Sequence, residues 1–185
     1  VGSGAGVLPN ELASLSDDQV RHLADLTRLG MAGNLADFVM IDKDGAVKRG
    51  SEIDYNGAPG GYAADPTEVV NYVSKHDNQT LWDMISYKAA QEADLDTRVR
   101  MQAVSLATVM LGQGIAFDQQ GSELLRSKSF TRDSYDSGDW FNRVDYSLQD
   151  NNYNVGMPRI SDDGSNYDVI TRVKEMVATP GEAEL

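Results

Sequence analysis

The fold is decided by one short stretch of the sequence, Asn71-Tyr72-Val73-Ser74-Lys75-His76-Asp77-Asn78. It begins as a β-branched and aromatic run and ends in a charged triplet. This pattern is typical of a buried barrel strand with polar groups at its C-terminal end. Enzymes built on β/α barrels have their catalytic residues at this end of the strands. His76 and Asp77 are therefore candidate functional residues. The alternative is structural: Asp77 or Asn78 caps the helix that follows the strand.

A second apolar run, Gly114-Ile115-Ala116-Phe117, predicts another short buried strand. Between the two runs, Thr80 is placed to cap a short helix, and Asp94 is placed to open a longer helix that ends at Gly112. Apolar residues recur at helical spacing along the longer helix and predict a core-facing side: Leu95, Val99, Ala103, Leu106 and Met110. The order of strand, helices and strand predicts a parallel crossover unit.

The segment before the first strand holds one clear helix signal. Ser16 and Gln19 have the spacing of a capping box, and the helix that they open is expected to reach about Leu29, with Gly30 just beyond its end. Regular patterns are scarce from residue 31 to residue 66, so this region is expected to be irregular and is the kind of long loop that often serves function.

Composition narrows the classes of partner. The chain has 185 residues and a formal net charge of -13, with 29 acidic against 16 basic residues. Such an acidic surface argues against binding of nucleic acid or anionic membranes. Cysteine is absent, and no apolar run approaches the roughly 20 residues of a transmembrane helix. We expect one domain over residues 1–185, and the start at Val1 without an initiator Met suggests a processed product or a fragment.

A polar, aromatic-rich segment follows the second predicted strand. It holds Arg132, Asp133, Tyr135 and Trp140 among many acids and amides. Aromatic rings stack on the faces of sugar rings and polar groups bind their hydroxyls, so this segment is suited to a neutral sugar. Alternatively, the aromatic side chains only anchor the loop to the scaffold.

Several of these runs together resemble one family. Tyr72–Asn78 is similar to the His-Asp motif that ends the seventh barrel strand of the α-amylase superfamily, and Gly114–Phe117 with Gly121–Glu123 resembles its eighth strand and the turn after it. The later runs Ser134–Asp139 and Asn142–Tyr146 are similar to the debranching members. The chain as a whole resembles the C-terminal part of the catalytic barrel of type I pullulanases, of the kind that enterobacteria export as surface lipoproteins.

The resemblance implies an α/β fold: strands seven and eight of a (β/α)8 TIM barrel with their helices and loops, and not a complete barrel. Its members cleave α-1,6-glucosidic branch bonds in pullulan, glycogen and amylopectin with retention of configuration. They use an Asp nucleophile after strand four, a Glu acid/base after strand five and an Asp after strand seven. Asp77 corresponds to the third acid, as a transition-state stabiliser, and His76 lies beside it. Motifs for the first two acids are missing here, so the chain alone is expected to be inactive without the upstream part of the same enzyme.

The same resemblance implies the remaining properties. An α-glucan is the expected partner, bound by Asn78, Arg132, Asp133, Tyr135 and Trp140. Calcium is the expected cofactor, with ligands that the sequence does not assign, and the expected location is extracellular or on the outer surface of a Gram-negative bacterium. Two alternatives stay open: a limit dextrinase or isoamylase type of debranching enzyme, and a non-catalytic carbohydrate- or calcium-binding module.

Overall fold

The computed structural model describes residues 15–90, 92–135, 139–156, 159–164, 167–168 and 171. Tertiary contacts group the chain into two compact units. The first comprises residues 1–73 and 104–118, and the second comprises residues 74–103 and 119–185. The expectation of a single domain over residues 1–185 stays a prediction.

The first unit opens with helix α1, Asp17–Met31, and its start confirms the predicted capping box. The Ser16 hydroxyl accepts from the Gln19 amide at 3.2 Å, and the Gln19 side chain accepts from the Ser16 amide at 2.9 Å. The helix ends two residues later than predicted. Gly33, and not Gly30, takes the left-handed conformation after it, with φ +81°, a backbone shape that glycine adopts without a steric penalty.

Two small antiparallel hairpins occupy part of the region that the sequence predicted to be irregular. Strand β1 (Val39–Ile41) pairs with β2 (Val47–Arg49), and β3 (Asp54–Tyr55) pairs with β4 (Ala58–Pro59). Asn56 and Gly57 form the second turn with φ of 54° and 86°, the combination that a tight two-residue hairpin turn requires. Leu29, Met40 and Ile53 form the small core of this unit.

The predicted crossover unit is confirmed. Strand β5 (Val70–Asn71) pairs in parallel with β6 (Ile115–Ala116). Helices α2 (Leu81–Lys88) and α3 (Leu95–Met110) lie between them in the chain. The chain therefore mixes helices with a parallel strand pair, as an α/β protein does.

The predicted burial of these strands is wrong for this chain. Val70, Tyr72, Ile115 and Phe117 are each about half exposed. The physical reason lies in the sheet, since among the described residues β5 and β6 pair only with each other and no further strand flanks them. Tyr72 and Phe117 contact each other edge to face, with ring centroids 6.4 Å apart.

The predicted core-facing side of helix α3 is confirmed in part, since Leu95 and Val99 are partly buried and pack against the buried aromatic residues of the second unit. The buried residues of α3 are Arg98, Gln102, Ser105 and Val109, whereas Ala103 and Met110 are exposed. The buried Gln102 side chain is hydrogen-bonded, since its amide nitrogen donates to the Ser122 carbonyl at 2.9 Å. The rest of the prediction is wrong because hydrogen-bonded polar side chains can be buried as well as apolar ones.

Aromatic side chains form the core of the second unit. Trp82, Tyr87, Phe130 and Tyr153 are buried together, and Phe130 meets Tyr153 edge to face at 5.2 Å between ring centroids. The Tyr87 hydroxyl also donates to the Phe130 carbonyl at 3.1 Å. These contacts fasten the segment after β6 onto helix α2.

Two helices of four residues lie later in the second unit, α4 (Asp139–Asn142) and α5 (Ile160–Asp163). Across the part of the chain that the structure describes, no helix has the length and apolar character needed to cross a membrane.

Candidate functional site

The candidate site lies in the turn of residues 74–80, here called the corner, which follows β5 in the chain. The corner is held at both ends. The Ser74 hydroxyl donates to the Gln119 side chain at 2.7 Å and accepts from the Leu81 amide at 3.2 Å. At the other end, the Thr80 hydroxyl accepts from the Asp83 amide at 3.2 Å and caps helix α2. The intervening backbone is therefore fixed by side-chain hydrogen bonds.

This arrangement excludes the structural alternative for Asp77. Thr80 occupies the N-cap position, as predicted, so neither Asp77 nor Asn78 caps α2. Asn78 instead takes a left-handed backbone conformation with φ 62°, which asparagine tolerates better than most residues. Its contribution is to turn the chain sharply just after Asp77.

Asp77 presents an ionised carboxylate to solvent. Its side chain is 62% exposed and that of His76 is 85% exposed, with the His76 Nε2 atom 3.5 Å from Asp77 Oδ1. A hydrogen bond from Lys75 lowers the pKa of the Asp77 carboxyl below its usual range, and the positive charges of Lys75 and Lys128 act in the same direction. Asp77 thus offers charged acceptor oxygens to hydroxyl groups of a ligand at neutral pH.

Lys128 is part of this site, although sequence reasoning did not identify it. Its residue is only 1% exposed, and its ammonium nitrogen donates to the His76 carbonyl at 3.0 Å. The bond crosses 52 positions of sequence, so no local spacing rule could have indicated it. Lys128 belongs to the segment after β6, and its hydrogen bond to the His76 carbonyl holds the backbone of the corner.

Asp83 organises that segment from helix α2 and was also missed. It is fully buried, and it accepts from the Lys128 amide at 2.9 Å, from the Phe130 amide at 3.3 Å and from the Ser127 hydroxyl. Burial raises the pKa of Asp83, and these hydrogen bonds oppose that shift. A carboxylate flanked by Leu81, Trp82, Met84 and Ile85 was the signal that could have found it, because an acid in such a run needs buried partners.

We expect Asp83→Ala to loosen the segment after β6. The change leaves the Lys128 and Phe130 amides buried without their acceptor, and each orphaned donor costs about 1–3 kcal/mol. Hydrogen exchange at these two amides, measured in the complete protein that carries this segment, should accelerate by the corresponding factor. An unchanged exchange rate at both amides would show that Asp83 does not hold the segment.

The predicted sugar-binding residues of the later segment lie on its surface. Arg132, Asp133 and Tyr135 are exposed, Tyr135 by 87%. The neighbouring Ser134 is buried, and it fastens the loop through two hydrogen bonds with Asn142, of 2.9 Å and 2.6 Å. The backbone of Trp140 lies in α4, but its side chain lies outside what the structure describes.

The exposed loop residues Asp133 and Tyr135 lie in the same unit as the corner. Within the described ranges, no hydrogen bond or ion pair links Asp133 or Tyr135 to His76 or Asp77. The structure brings together His76, Asp77 and Lys128, and it leaves Arg132, Asp133 and Tyr135 as exposed groups on the same unit.

The described residues do not fit calcium through a carboxylate cluster. Calcium takes six to eight oxygen ligands, usually including several carboxylates. Across residues 15–171, apart from the undescribed positions, no group of three or more His, Asp or Glu side chains is placed to hold a metal ion. The described residues therefore assign no carboxylate cluster to calcium, and calcium binding stays a prediction.

No protein-family model matches the chain, but comparison with individual known proteins finds pullulanases. The chain is 97% identical over all 185 residues to a pullulanase of Klebsiella pneumoniae, of which it spans 17%. It is also 46% identical over 142 residues, 76% of the chain, to the chloroplastic pullulanase 1 of Arabidopsis thaliana, of which it spans 15%.

Solved structures agree with the sequences. The backbone matches 17% of the crystal structure of Klebsiella pneumoniae pullulanase complexed with maltotriose, at 95% identity over 98% of the chain and a TM-score of 0.89. The crystal structure of PulA from Klebsiella oxytoca matches with 97% identity, the same TM-score of 0.89 and the same shares, 98% and 17%. By sequence and by backbone, the chain matches a segment of pullulanases that makes up about a sixth of their length.

Proposed function

We propose that this chain supplies the third catalytic acid of an α-1,6-glucan hydrolase that acts with retention of configuration. The observation that carries the proposal is the corner itself. It holds an ionised, solvent-facing Asp77 beside His76, on a backbone fixed by Ser74, Thr80 and Lys128. The near identity with Klebsiella pullulanase supports pullulan as the substrate. The α-1,6 bond type and the further substrates glycogen and amylopectin rest on the family resemblance.

We also propose that β5 and β6 are strands seven and eight of a (β/α)8 barrel. Their parallel pairing across two helices supports this assignment, because barrel strands are joined by helical crossovers. The half-exposed Val70, Tyr72, Ile115 and Phe117 support it too. In a closed barrel, neighbouring strands and inward-facing side chains cover such residues.

The chemistry assigns Asp77 a role distinct from attack or proton transfer. A retaining glycosidase needs a nucleophilic carboxylate and an acid about 5–5.5 Å apart, and by the family resemblance other parts of the enzyme provide them. Asp77 accepts hydrogen bonds from ring hydroxyls of the sugar being cleaved. These bonds strengthen as positive charge develops on the sugar ring, so they stabilise the transition state more than the ground state. His76 lies within reach to donate to a neighbouring hydroxyl.

The substrate groove is proposed to include Asn78, Arg132, Asp133, Tyr135 and Trp140. Exposure of Arg132, Asp133 and Tyr135 on an anchored loop supports this assignment, since a sugar can approach them without displacing core residues. Calcium binding and an extracellular or outer-surface location are proposals that rest on the family resemblance.

We expect Asp133→Ala to weaken the use of pullulan by a full-length pullulanase carrying this segment. The variant should raise KM or lower kcat/KM by about tenfold, the effect of losing roughly 1.4 kcal/mol of binding. Its melting temperature should stay near that of the parent, because the side chain is exposed. Asp37→Ala, which removes an exposed acid from the first unit, is the matched control. Parent-like kinetics for Asp133→Ala would mean that this residue only belongs to the loop surface.

The experiment that tests the proposed function is an assay on pullulan of a full-length pullulanase that carries this segment. Release of reducing ends with retained anomeric configuration at the new ends is the expected result. A protein that binds pullulan without cleaving it would favour the non-catalytic carbohydrate-binding module instead.

A further inference from the structure

We propose that Lys128 is a positioning residue for Asp77, and that it acts through the backbone carbonyl of His76. The inference rests on the proposed function of Asp77. It concerns a residue that the sequence pattern did not indicate and that does not itself reach the surface where a sugar would bind.

The geometry of one peptide group carries the proposal. The Lys128 ammonium donates to the His76 carbonyl at 3.0 Å. That carbonyl belongs to the planar peptide unit that ends at the Asp77 Cα atom. Fixing the carbonyl therefore restricts the directions in which the Asp77 side chain can leave the backbone. The His76 and Asp77 side chains are exposed and are not held by packing, so their orientation depends on backbone anchors of this kind and, for Asp77, also on the hydrogen bond from Lys75.

The position of Lys128 is itself tightly determined. The residue is 1% exposed, and its own amide donates to the buried Asp83 at 2.9 Å. Ser127 and Phe130 also donate to Asp83, so the whole turn that carries Lys128 is attached to helix α2. Thr80 caps the same helix and ends the corner. The corner and Lys128 are thus both attached to helix α2, which fixes the position of one relative to the other.

A purely structural role explains this arrangement less well. Burying an ammonium group costs free energy unless its hydrogen bonds compensate, and a methionine of similar length would fill the same space without that cost. A lysine at this point offers what methionine does not, a charged donor aimed at the peptide group before Asp77. Its positive charge also acts on the Asp77 carboxyl in the direction that favours ionisation.

A double-mutant cycle in a full-length pullulanase carrying this segment tests the inference. Its variants are Lys128→Met, Asp77→Asn and the double substitution, with kcat and KM measured on pullulan and the melting temperature recorded for each. We expect Lys128→Met alone to lower kcat by up to about 10²-fold, as misplacing a group in the active site does, with little change in KM. In the Asp77→Asn background, the same substitution should have almost no further effect on kcat, because its action passes through Asp77.

Control variants separate positioning from general damage. Lys88→Met removes another partly buried lysine, at the end of α2, and should leave kcat near that of the parent. If Lys128→Met melts below the assay temperature, Lys128→Arg replaces it in the cycle, since it keeps a charged donor with a different reach. Coupling with Asp77→Asn in either cycle supports the inference.

Two results would overturn the inference about Lys128, and a third would contradict the proposed function of Asp77. Equal losses of kcat from the lysine substitution in both backgrounds would show a structural role. A parent-like kcat for Lys128→Met, with Asp77→Asn inactive, would show that Asp77 needs no such anchor. A parent-like kcat for Asp77→Asn would instead contradict the proposed function of Asp77 and remove the basis of the inference.

Discussion

Asp77→Asn, made in a full-length pullulanase carrying this segment, should give a folded protein that binds oligosaccharide but is nearly inactive. Loss of one preorganised partner of the transition state costs on the order of 10²–10³-fold in kcat, or about 2.7–4 kcal/mol. The interaction is stronger in the transition state than in the ground state, so kcat should fall far more than KM rises.

The amide substitution is a sharp probe because it keeps the size of the side chain and removes its charge. Thr80 caps helix α2, so no loss of capping accompanies the change. The ion pair with Lys75 disappears, but this pair lies at the surface and contributes little to stability. A thermal melt is the control and should match that of the parent. A kcat equal to that of the parent enzyme would mean that Asp77 has no catalytic role.

The second large effect is expected when the 185 residues are expressed by themselves. They should show no cleavage of pullulan, because the motifs for the nucleophile and the general acid are absent from the sequence. They should also fold poorly. The parallel pair β5 and β6 leaves open edges and half-exposed apolar side chains such as Val70 and Ile115, and an isolated strand pair is at best marginally stable in water.

Three measurements check this expectation: pullulan hydrolysis, a thermal melt followed by circular dichroism, and binding of a dye that reports exposed apolar surface. The full-length enzyme is the positive control for all three. A cooperative melt together with cleavage of pullulan by the 185 residues alone would contradict the prediction and the division of catalytic residues on which it rests.

Local signals in the sequence predicted several elements well. The capping box at Ser16 and Gln19, the cap at Thr80 and the parallel crossover from β5 to β6 are all confirmed. Each depends on residues that are near neighbours in the chain or on the simple order of elements. The pair His76 and Asp77 was predicted in the same way, because a charged end on an apolar strand is visible in the sequence itself, and the role of this pair stays a prediction.

Predictions that depended on which elements pack around a residue were less successful. The two hairpins between residues 39 and 59 were missed, although Asn56 and Gly57 carried a recognisable turn signal. The strands β5 and β6 proved half exposed, and α3 buries Gln102 and Ser105 in place of part of its apolar side. Burial depends on which elements cover a residue, and periodicity within one element does not contain that information.

By itself, the sequence determined the family resemblance, the crossover unit and the acid at its turn, since these follow from residue types and from spacing along the chain. Only the tertiary structure decided what holds that acid in place. Lys128 reaches His76 across 52 positions, and Asp83 binds the Lys128 amide across 45. Neither contact has a signature in local sequence, because a hydrogen bond between distant segments exists only once folding has brought its donor and acceptor within about 3 Å of each other.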